Sequence, residues 1–426
     1  MPLKTRTYHD PLHGAITLDR ADPVEALLIE LIDTSPFQRL RRIRQLGPAS
    51  LTFHGAESSR FTHSLGVMAI ARRAFDRLAA IYPELMVHRA AVLCAALLHD
   101  VGHGPFSHTT EEVFGGHHEH WTRRILKQAP EVRRRLDEFS PKLRCDIDAI
   151  YQHQHPVPCV WQLVSSQLDC DRIDYLMRDS YFTGASYGQL DLDRIILALD
   201  YDPASQQLIV VKKGLGAIEH YLVVRYFMYA HIYNHPKNLV ATWVLEQTIR
   251  RAKALLTTST LEADNTMTAW LSCDVDELPL EQYLAQDDYV LSYHLQRWQT
   301  HKDPILADLC QQFVNRRLPK ATEISQYTYA QQAEILSIAR HQVYGTVPDP
   351  KIYLSLHHIS NRGYTLYQRG IKLKTAEGLV AISQLSPLVQ TLIQPCQRTW
   401  LLHPADLPVD DILETFKPVI GGSGEE

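Results

Sequence analysis

The chain has 426 residues, enough for a large core and a second lobe, and its 45% hydrophobic and 21% charged residues are ordinary for a globular protein. A net charge of −5 argues against duplex DNA or an anionic membrane as the main partner, and no apolar run approaches the length of a membrane span. The seven scattered cysteines include no CxxC pair, which argues against a disulfide framework or a cysteine-based zinc site. Met1-Pro2-Leu3-Lys4-Thr5-Arg6 contains no apolar leader segment, so a cytoplasmic protein is expected.

Tyr8-His9-Asp10-Pro11-Leu12-His13-Gly14 predicts a turn-rich entry, followed by a short strand at Ala15-Ile16-Thr17-Leu18. Pro23 and Pro36 open helices expected over about 24–33 and 36–46. The second carries Gln38, Arg39, Arg41, Arg42, Arg44 and Gln45, a pattern shared by a solvated face and a phosphate-facing wall. Arg60-Phe61-Thr62-His63-Ser64-Leu65-Gly66 begins another helix with a helical apolar period. Ala90 to Leu98 is apolar all round, predicting a helix buried on every side, and it runs into His99-Asp100 with Gly102 and Gly104 as breakers. A buried carboxylate calls for a partner, and a cation is the natural one. If the two helices are antiparallel neighbours, His63 meets His99-Asp100.

His103, His108, Glu111 and His117-His118-Glu119-His120 follow within about twenty positions. His108 and Glu111 share a helical face, so the carboxylate can orient the imidazole. A helix is expected over about 159–179, where Val164, Leu168, Asp171, Tyr175 and Asp179 make one stripe. Pattern alone does not choose between Asp171 and Asp174, and Asp174 with Arg178 also fits a simple i,i+4 ion pair. A helix over about 216–234 carries Arg225, Tyr229 and Tyr233, which suits a phosphate clamp and equally an Arg packed on aromatic rings. Helices are expected over about 239–257, 278–296, 303–317, 328–340 and 383–394. Strands are expected at Ile352-Tyr353-Leu354-Ser355-Leu356, Gly370-Ile371-Lys372-Leu373-Lys374 and Arg398-Thr399-Trp400-Leu401-Leu402.

His63, His99-Asp100 and Asp171 have the order of an H…HD…D signature. With the strings around them, including His99-Asp100-Val101-Gly102-His103-Gly104-Pro105-Phe106-Ser107-His108 and Asp171-Arg172-Ile173-Asp174-Tyr175-Leu176, the chain resembles the HD-domain metal-dependent phosphohydrolases. The branch is the one containing bacterial deoxynucleoside triphosphate triphosphohydrolases and the mammalian sterile-alpha-motif-and-HD-domain dNTPase. The resemblance implies a mainly α fold, with an HD core over 1–260 and a smaller α+β C-terminal lobe over 346–418; the residue pattern adds a helical extension over 261–345 and a disordered tail over 419–426. The resemblance also implies metal ligands at His63, His99, Asp100 and Asp171 for a divalent ion, with Mn, Fe, Mg, Ni and Zn not distinguished. Catalytic roles fall on His108, Glu111, His118 and Glu119. Substrate contacts fall on Gln45, Leu46, Arg60, Arg172, Tyr175, Asp179, Arg225 and Tyr233. A guanine-nucleotide activator site at a subunit interface falls on Arg6, Asp33, Gln38, Arg41 and Arg194, within a homo-oligomer (dimer or tetramer). The implied reaction is hydrolysis of a deoxynucleoside triphosphate to deoxynucleoside and inorganic triphosphate, activated by GTP or dGTP. The alternatives are an HD phosphohydrolase for another nucleotide or phosphodiester, and a catalytically silent nucleotide sensor.

Overall fold

The computed structural model describes residues 4–258, 260–365 and 370–416, so the tail expected at 419–426 lies outside the described residues. The chain opens on a hairpin of β1 (Thr5–Asp10) and β2 (Gly14–Asp19), with Thr5 opposite Asp19 and Asp10 opposite Gly14. Only β2 is legible in the sequence, because β1 is a largely wet strand with little apolar alternation. In α1 (Pro23–Ile32), Pro23 occupies the first turn and the Asp22 side chain accepts from the Val24 and Glu25 N–H groups. The helix expected over 36–46 is one turn, α2 (Ser35–Arg39), extended by a 3-10 turn at Leu40–Arg42. It stops there because Ile43 turns extended and Arg44 bridges to Ser59. Gln45 and Leu46 are thereby left in a loop.

Next come α3 (Arg60–Ile81) and α4 (Arg89–Leu98), which pack together as antiparallel neighbours and bring His63 and His99 within 5.2 Å, ring centre to ring centre. Ala91 to Leu98 are all buried, as the all-round apolar pattern predicts. Each Leu or Val so buried contributes about 1.5–3 kcal/mol, which makes α4 the axis of the core. Then come α5 (His108–Phe114), which packs on the later helix over residues 236–257, and α6 (His118–Gln128), α7 (Pro130–Phe139) and α8 (Leu143–Tyr151), which pack on one another, with α8 seated on α4.

The single helix expected over 159–179 is two, α9 (Pro158–Gln162) and α10 (Cys170–Thr183). Asp169 causes the break: its carboxylate accepts from both the Ser166 and Arg172 N–H groups, ending one loop and capping the next helix. Asp171, Tyr175 and Asp179 keep their common face, while Val164 and Leu168 lie in the loop. After α11 (Leu192–Ala198), β3 (Leu199–Asp202) and β4 (Gln207–Val211) lead into α12 (Leu215–Met228). The helix expected to 234 widens into a π-turn over Tyr229–Tyr233 before α13 (Pro236–Thr257).

Further helices cover Asn265–Ser272, Leu280–Leu284, Asp288–Trp298, Pro304–Val314, Tyr329–Gln342 and Val409–Glu414, and the helix expected over 383–394 is two short ones, Ile382–Leu385 and Pro387–Leu392, because Ser386 caps a second start. The 278–296 helix divides because Asp287 caps a new start. The strand expected at 352–356 begins late: Asp349 and Pro350 start a short helix, Pro350–Tyr353, ahead of it. The strands here are β5 (Lys320–Glu323), β6 (Ser355–Asn361), β7 (Lys372–Thr375), β8 (Gly378–Ala381) and β9 (Cys396–His403). They form two sheets, in orders β3-β4-β7-β8 and β5-β9-β6, with β4 and β7 parallel. Residues 346–416 thus divide between cores. Tyr364, Ile371, Leu373, Ile382 and Val389 join the core of the HD helices, whereas Trp400 and Leu402 pack with the 265–314 helices. A helical core with small peripheral sheets is the mainly α architecture that the sequence predicts. Among the described residues no helix is long and apolar enough to cross a membrane, and all seven cysteines are unpaired.

Candidate active site and metal centre

The end of α4, the start of α3 and the start of α10 converge on one point. His63 Nε2, His99 Nε2 and an Asp171 carboxylate oxygen lie within 4.8 Å of one another. His63 Nε2 is 3.0 Å from Asp171 Oδ1 and 3.3 Å from His99 Nε2. Asp100 flanks the group, with Oδ1 at 3.3 Å from His99 Nε2 and Oδ2 at 3.6 Å from His63 Nε2. The outer nitrogens fix which lone pairs point inward. His63 Nδ1 donates to Asp174 Oδ2 at 2.8 Å, and His99 Nδ1 donates to the Ala96 carbonyl at 2.9 Å. Both Nε2 atoms are therefore the ones turned toward the two carboxylates, where a proton, or in its place a divalent cation, can be shared among them. Burial alone would lower the His63 imidazole, yet its hydrogen bonds with Asp171 and Asp174 raise it to about 10. Burial would likewise raise Asp171, but His63 and His99 hold its carboxyl far below the usual carboxylate range. A point that attracts a proton this strongly attracts a metal ion by the same field. The donor set thus fits a divalent metal, and the Asp171–Asp174 ambiguity takes a geometric form: Asp171 faces the centre and Asp174 stands behind His63.

A second cluster adjoins the first. Gly102 allows the approach, since a Cβ there would lie 2.2 Å from the His118 carbonyl and 2.3 Å from the Thr122 nitrogen. Phe106 and Ser107 both take positive φ, 53° and 56°, a strained entry to α5. Buried bonds hold it: the Phe106 N–H donates to Asp288 at 2.6 Å, and Arg60 Nε donates to Ser107 Oγ at 2.7 Å. The result places three imidazoles on one carboxylate. His118 Nδ1 is 2.8 Å and His103 Nδ1 3.4 Å from Glu111 Oε1, and His108 Nδ1 is 3.2 Å from Oε2. Burial opposes ionisation of Glu111, but the imidazoles of His103, His108 and His118 around it prevail and keep it ionised. The His103 and His118 rings stack at 3.9 Å, so their Nδ1 atoms aim together at one oxygen, a geometry suited to sharing protons. His103 is fully buried, and burial, Arg60 and His118 push its imidazole down to about 3.

Both clusters open into one cavity of about 440 Å³. Gln45, Leu46, Arg60, His108, His118, Glu119, Arg172, Tyr175, Asp179 and Tyr233 all line it. Tyr233 donates to Asp179 at 2.8 Å. Burial, reinforced by the charge of Asp174, pushes Asp179 up to about 7. Arg225 stands apart from this wall: it is buried and donates to Gln167 Oε1 at 2.8 Å. It also lies over the Tyr229 ring, 5.8 Å from its centre, so it is the Arg packed on an aromatic ring that the sequence pattern equally allows. Arg60 is pinned, with Nη1 on Asp100 Oδ2 at 2.5 Å. Away from the cavity, Arg6 pairs with Asp33 at 2.5 Å, and Arg41 bonds Gln38 at 2.8 Å while lying over the Phe61 ring. Arg194 is exposed and pairs with Asp191. Three wall or support residues stand outside the site set that the resemblance implies: His103, Tyr229 and Asp174. His103, within the HD string, and Tyr229, in the Arg225 stripe, are visible in the sequence only as members of their patterns.

Fold and site define the class, a helical metal-dependent phosphohydrolase. The HD domain model matches residues 60–176 and the HD associated region model residues 190–270. The chain belongs to the HD-domain phosphohydrolases. It is 37% identical to the uncharacterized protein YwfO of Bacillus subtilis over 417 residues, 95% of this chain and 93% of that protein. It is 30% identical over 248 residues to the deoxynucleoside triphosphate triphosphohydrolase SAMHD1 homolog of Dictyostelium discoideum, covering 54% of this chain and 46% of that protein. The crystal structure of a phosphohydrolase from Bacteroides thetaiotaomicron superposes with a TM-score of 0.81 at 28% identity, covering 94% of this chain and 99% of that one.

Proposed function

We propose that this chain hydrolyses deoxynucleoside triphosphates to deoxynucleoside and inorganic triphosphate. One observation carries the reading: Gln45, Tyr175, Asp179 and Tyr233 line the same cavity as His99 and Asp171 of the metal set and His103, His108 and His118 of the Glu111 cluster. The similarity to the Dictyostelium triphosphohydrolase supports it. When bound, a divalent ion (Mn, Fe, Mg, Ni or Zn all suit these ligands) supplies charge stabilisation at the reacting phosphoryl group. His63, His99, Asp100 and Asp171 would hold it. The Glu111 carboxylate accepts from His108 Nδ1 and so orients the ring, leaving Nε2 to face the departing 5′-oxygen as its proton donor. His118 and Glu119 complete that wall, with His118 steadying Glu111. Arg172 faces the triphosphate, and Asp179 and Tyr233 take the sugar hydroxyl.

The withdrawal of Arg225 to Gln167 favours a second reading, an HD phosphohydrolase for a nucleotide with fewer phosphates or for a phosphodiester. Incubating the purified protein with each dNTP, singly and mixed, with Mn or Mg and resolving products by chromatography decides between them. Triphosphate release supports the first reading; orthophosphate or pyrophosphate supports the second. No turnover by metal-loaded protein would leave a nucleotide sensor.

Regulation by GTP or dGTP belongs to the same proposal. Arg6, Asp33, Gln38 and Arg41 lie close enough to form one polar patch, in which a guanine would displace Arg6 from Asp33, and Arg194 would add a phosphate contact within a homo-oligomer. GTP should then enlarge the sedimenting species and raise the rate on other dNTPs, and Asp33→Ala should abolish both effects. No change with GTP on an active enzyme would remove the regulatory part alone.

A further inference from the structure

The turn Asp10-Pro11-Leu12-His13 joins β1 to β2, and nothing in the proposed chemistry uses it. It lies behind the metal centre. His13 Nε2 is 2.5 Å from Asp174 Oδ1, and Asp174 Oδ2 is the atom that receives His63 Nδ1. Arg178 grips the same carboxylate, with Nε at 2.7 Å from Oδ2 and Nη2 at 3.1 Å from Oδ1. Arg178 Nη1 reaches back to Asp10 Oδ2 at 2.8 Å. Asp10 Oδ1 accepts from the Leu12 and His13 N–H groups, both at 2.9 Å, which fixes the turn that presents His13. The network is enclosed: the Asp174 and Arg178 side chains are 0% exposed, Asp10 3% and His13 7%. Gly66, one turn after His63 on α3, makes room for it, because a Cβ there would lie 2.0 Å from Asp174 Oδ1 and 2.5 Å from Arg178 Nη2.

Asp174 therefore orients a ligand imidazole while spreading its charge over donors from two sources. Arg178 comes from its own helix; His13 comes from a hairpin 161 residues away in sequence. On the other side of His13 a cavity of about 390 Å³, lined also by Arg72, Arg73 and Asp193, leads outward, so the imidazole separates Asp174 from water. We infer that His13 is a positioning residue of the metal centre, acting through Asp174 on His63, and that the amino-terminal hairpin is the part of the fold that completes this support. The inference rests on the metal-centre reading above.

The test measures manganese(II) dissociation constants by competition with a chelator, and the visible absorption of the cobalt(II)-loaded protein, for wild type, His13→Ala, His13→Gln and His13→Asn. Thermal melting confirms that each variant is folded. Groups behind a metal-binding His typically change metal affinity by about ten- to a hundredfold. That loss, with an altered cobalt band, is expected for His13→Ala. The Gln amide nitrogen reaches about as far as Nε2 and should restore both readouts; the shorter Asn should not. If His13→Ala fails to fold, the Gln and Asn variants decide. A control, Thr7→Ala, disturbs only the exposed Thr7–Thr17 bond of the same hairpin and should leave both readouts unchanged. Folded His13 variants that bind manganese as wild type does, or Gln and Asn variants with equal affinities, would overturn the positioning role while leaving the metal centre intact. A wild-type protein that binds neither metal would overturn both.

Discussion

Asp179→Asn should stabilise the protein while altering the contact proposed above for the sugar hydroxyl. Asp179 is 1% exposed, its Oδ2 accepts from Tyr233, and its Oδ1 has no protein partner among the described residues. Burial, with the charge of Asp174 adding to it, raises the group from 3.8 to about 7 against the opposing effects of Tyr233, His63 and Arg178, a rise equivalent to about 4 kcal/mol. The sign follows from linkage: the folded state binds the proton more tightly than the unfolded chain. The penalty is absent below pH 3.8, grows as pH rises, and is complete above about pH 7. The isosteric amide keeps the acceptor for Tyr233 and never ionises. In EDTA, urea unfolding should show Asp179→Asn more stable than wild type by about 4 kcal/mol at pH 8 and by about 2 kcal/mol at pH 5. Adding manganese should narrow the gap, because a nearby cation favours the carboxylate. A variant less stable than wild type at pH 8, or a gap that does not change with pH, would refute this account of Asp179.

Three further outcomes follow from the site. His99→Ala and Asp171→Ala should each lose metal and hydrolysis together by metal analysis and product assay; full occupancy in Asp171→Ala would transfer the ligand role to Asp174. His108→Ala should retain the metal but lose on the order of a hundredfold in turnover, and an unchanged rate at neutral pH would remove His108 from the reaction. In most helices Gly→Ala gains up to about 1 kcal/mol, but Gly66→Ala should instead cost about 3–5 kcal/mol and weaken manganese binding, because it drives a methyl group into the Asp174–Arg178 pair. A melting temperature at or above wild type would show that the pair accommodates the change.

The sequence by itself determined the local features whose causes are local. An all-apolar run over Ala90–Leu98 has only one place to go, the centre of a helical core. His63 and His99-Asp100, carried on such helices, announce a cation because an unpaired charge there is too costly. The i,i+3 spacing of His108 and Glu111 needed only a helix to become a contact, and the common face of Asp171, Tyr175 and Asp179 survived the loss of the longer helix around it.

The tertiary structure decided everything that depends on which neighbour fills which lone pair. Helical periodicity places Asp171 and Asp174 about equally well; His63 faces both, and its two nitrogens assign one carboxylate to the centre and the other to the rear. The stripe Arg225, Tyr229 and Tyr233 suits a phosphate clamp or an Arg packed on aromatic rings, and the fold lays Arg225 over the Tyr229 ring and ties it to Gln167 instead of placing it on the cavity wall. His13 is 161 residues from Asp174, and no local pattern connects them. Periodicity reports the faces of one element, whereas a buried hydrogen bond joins faces of different elements, and its partner is fixed only when the chain has closed around it.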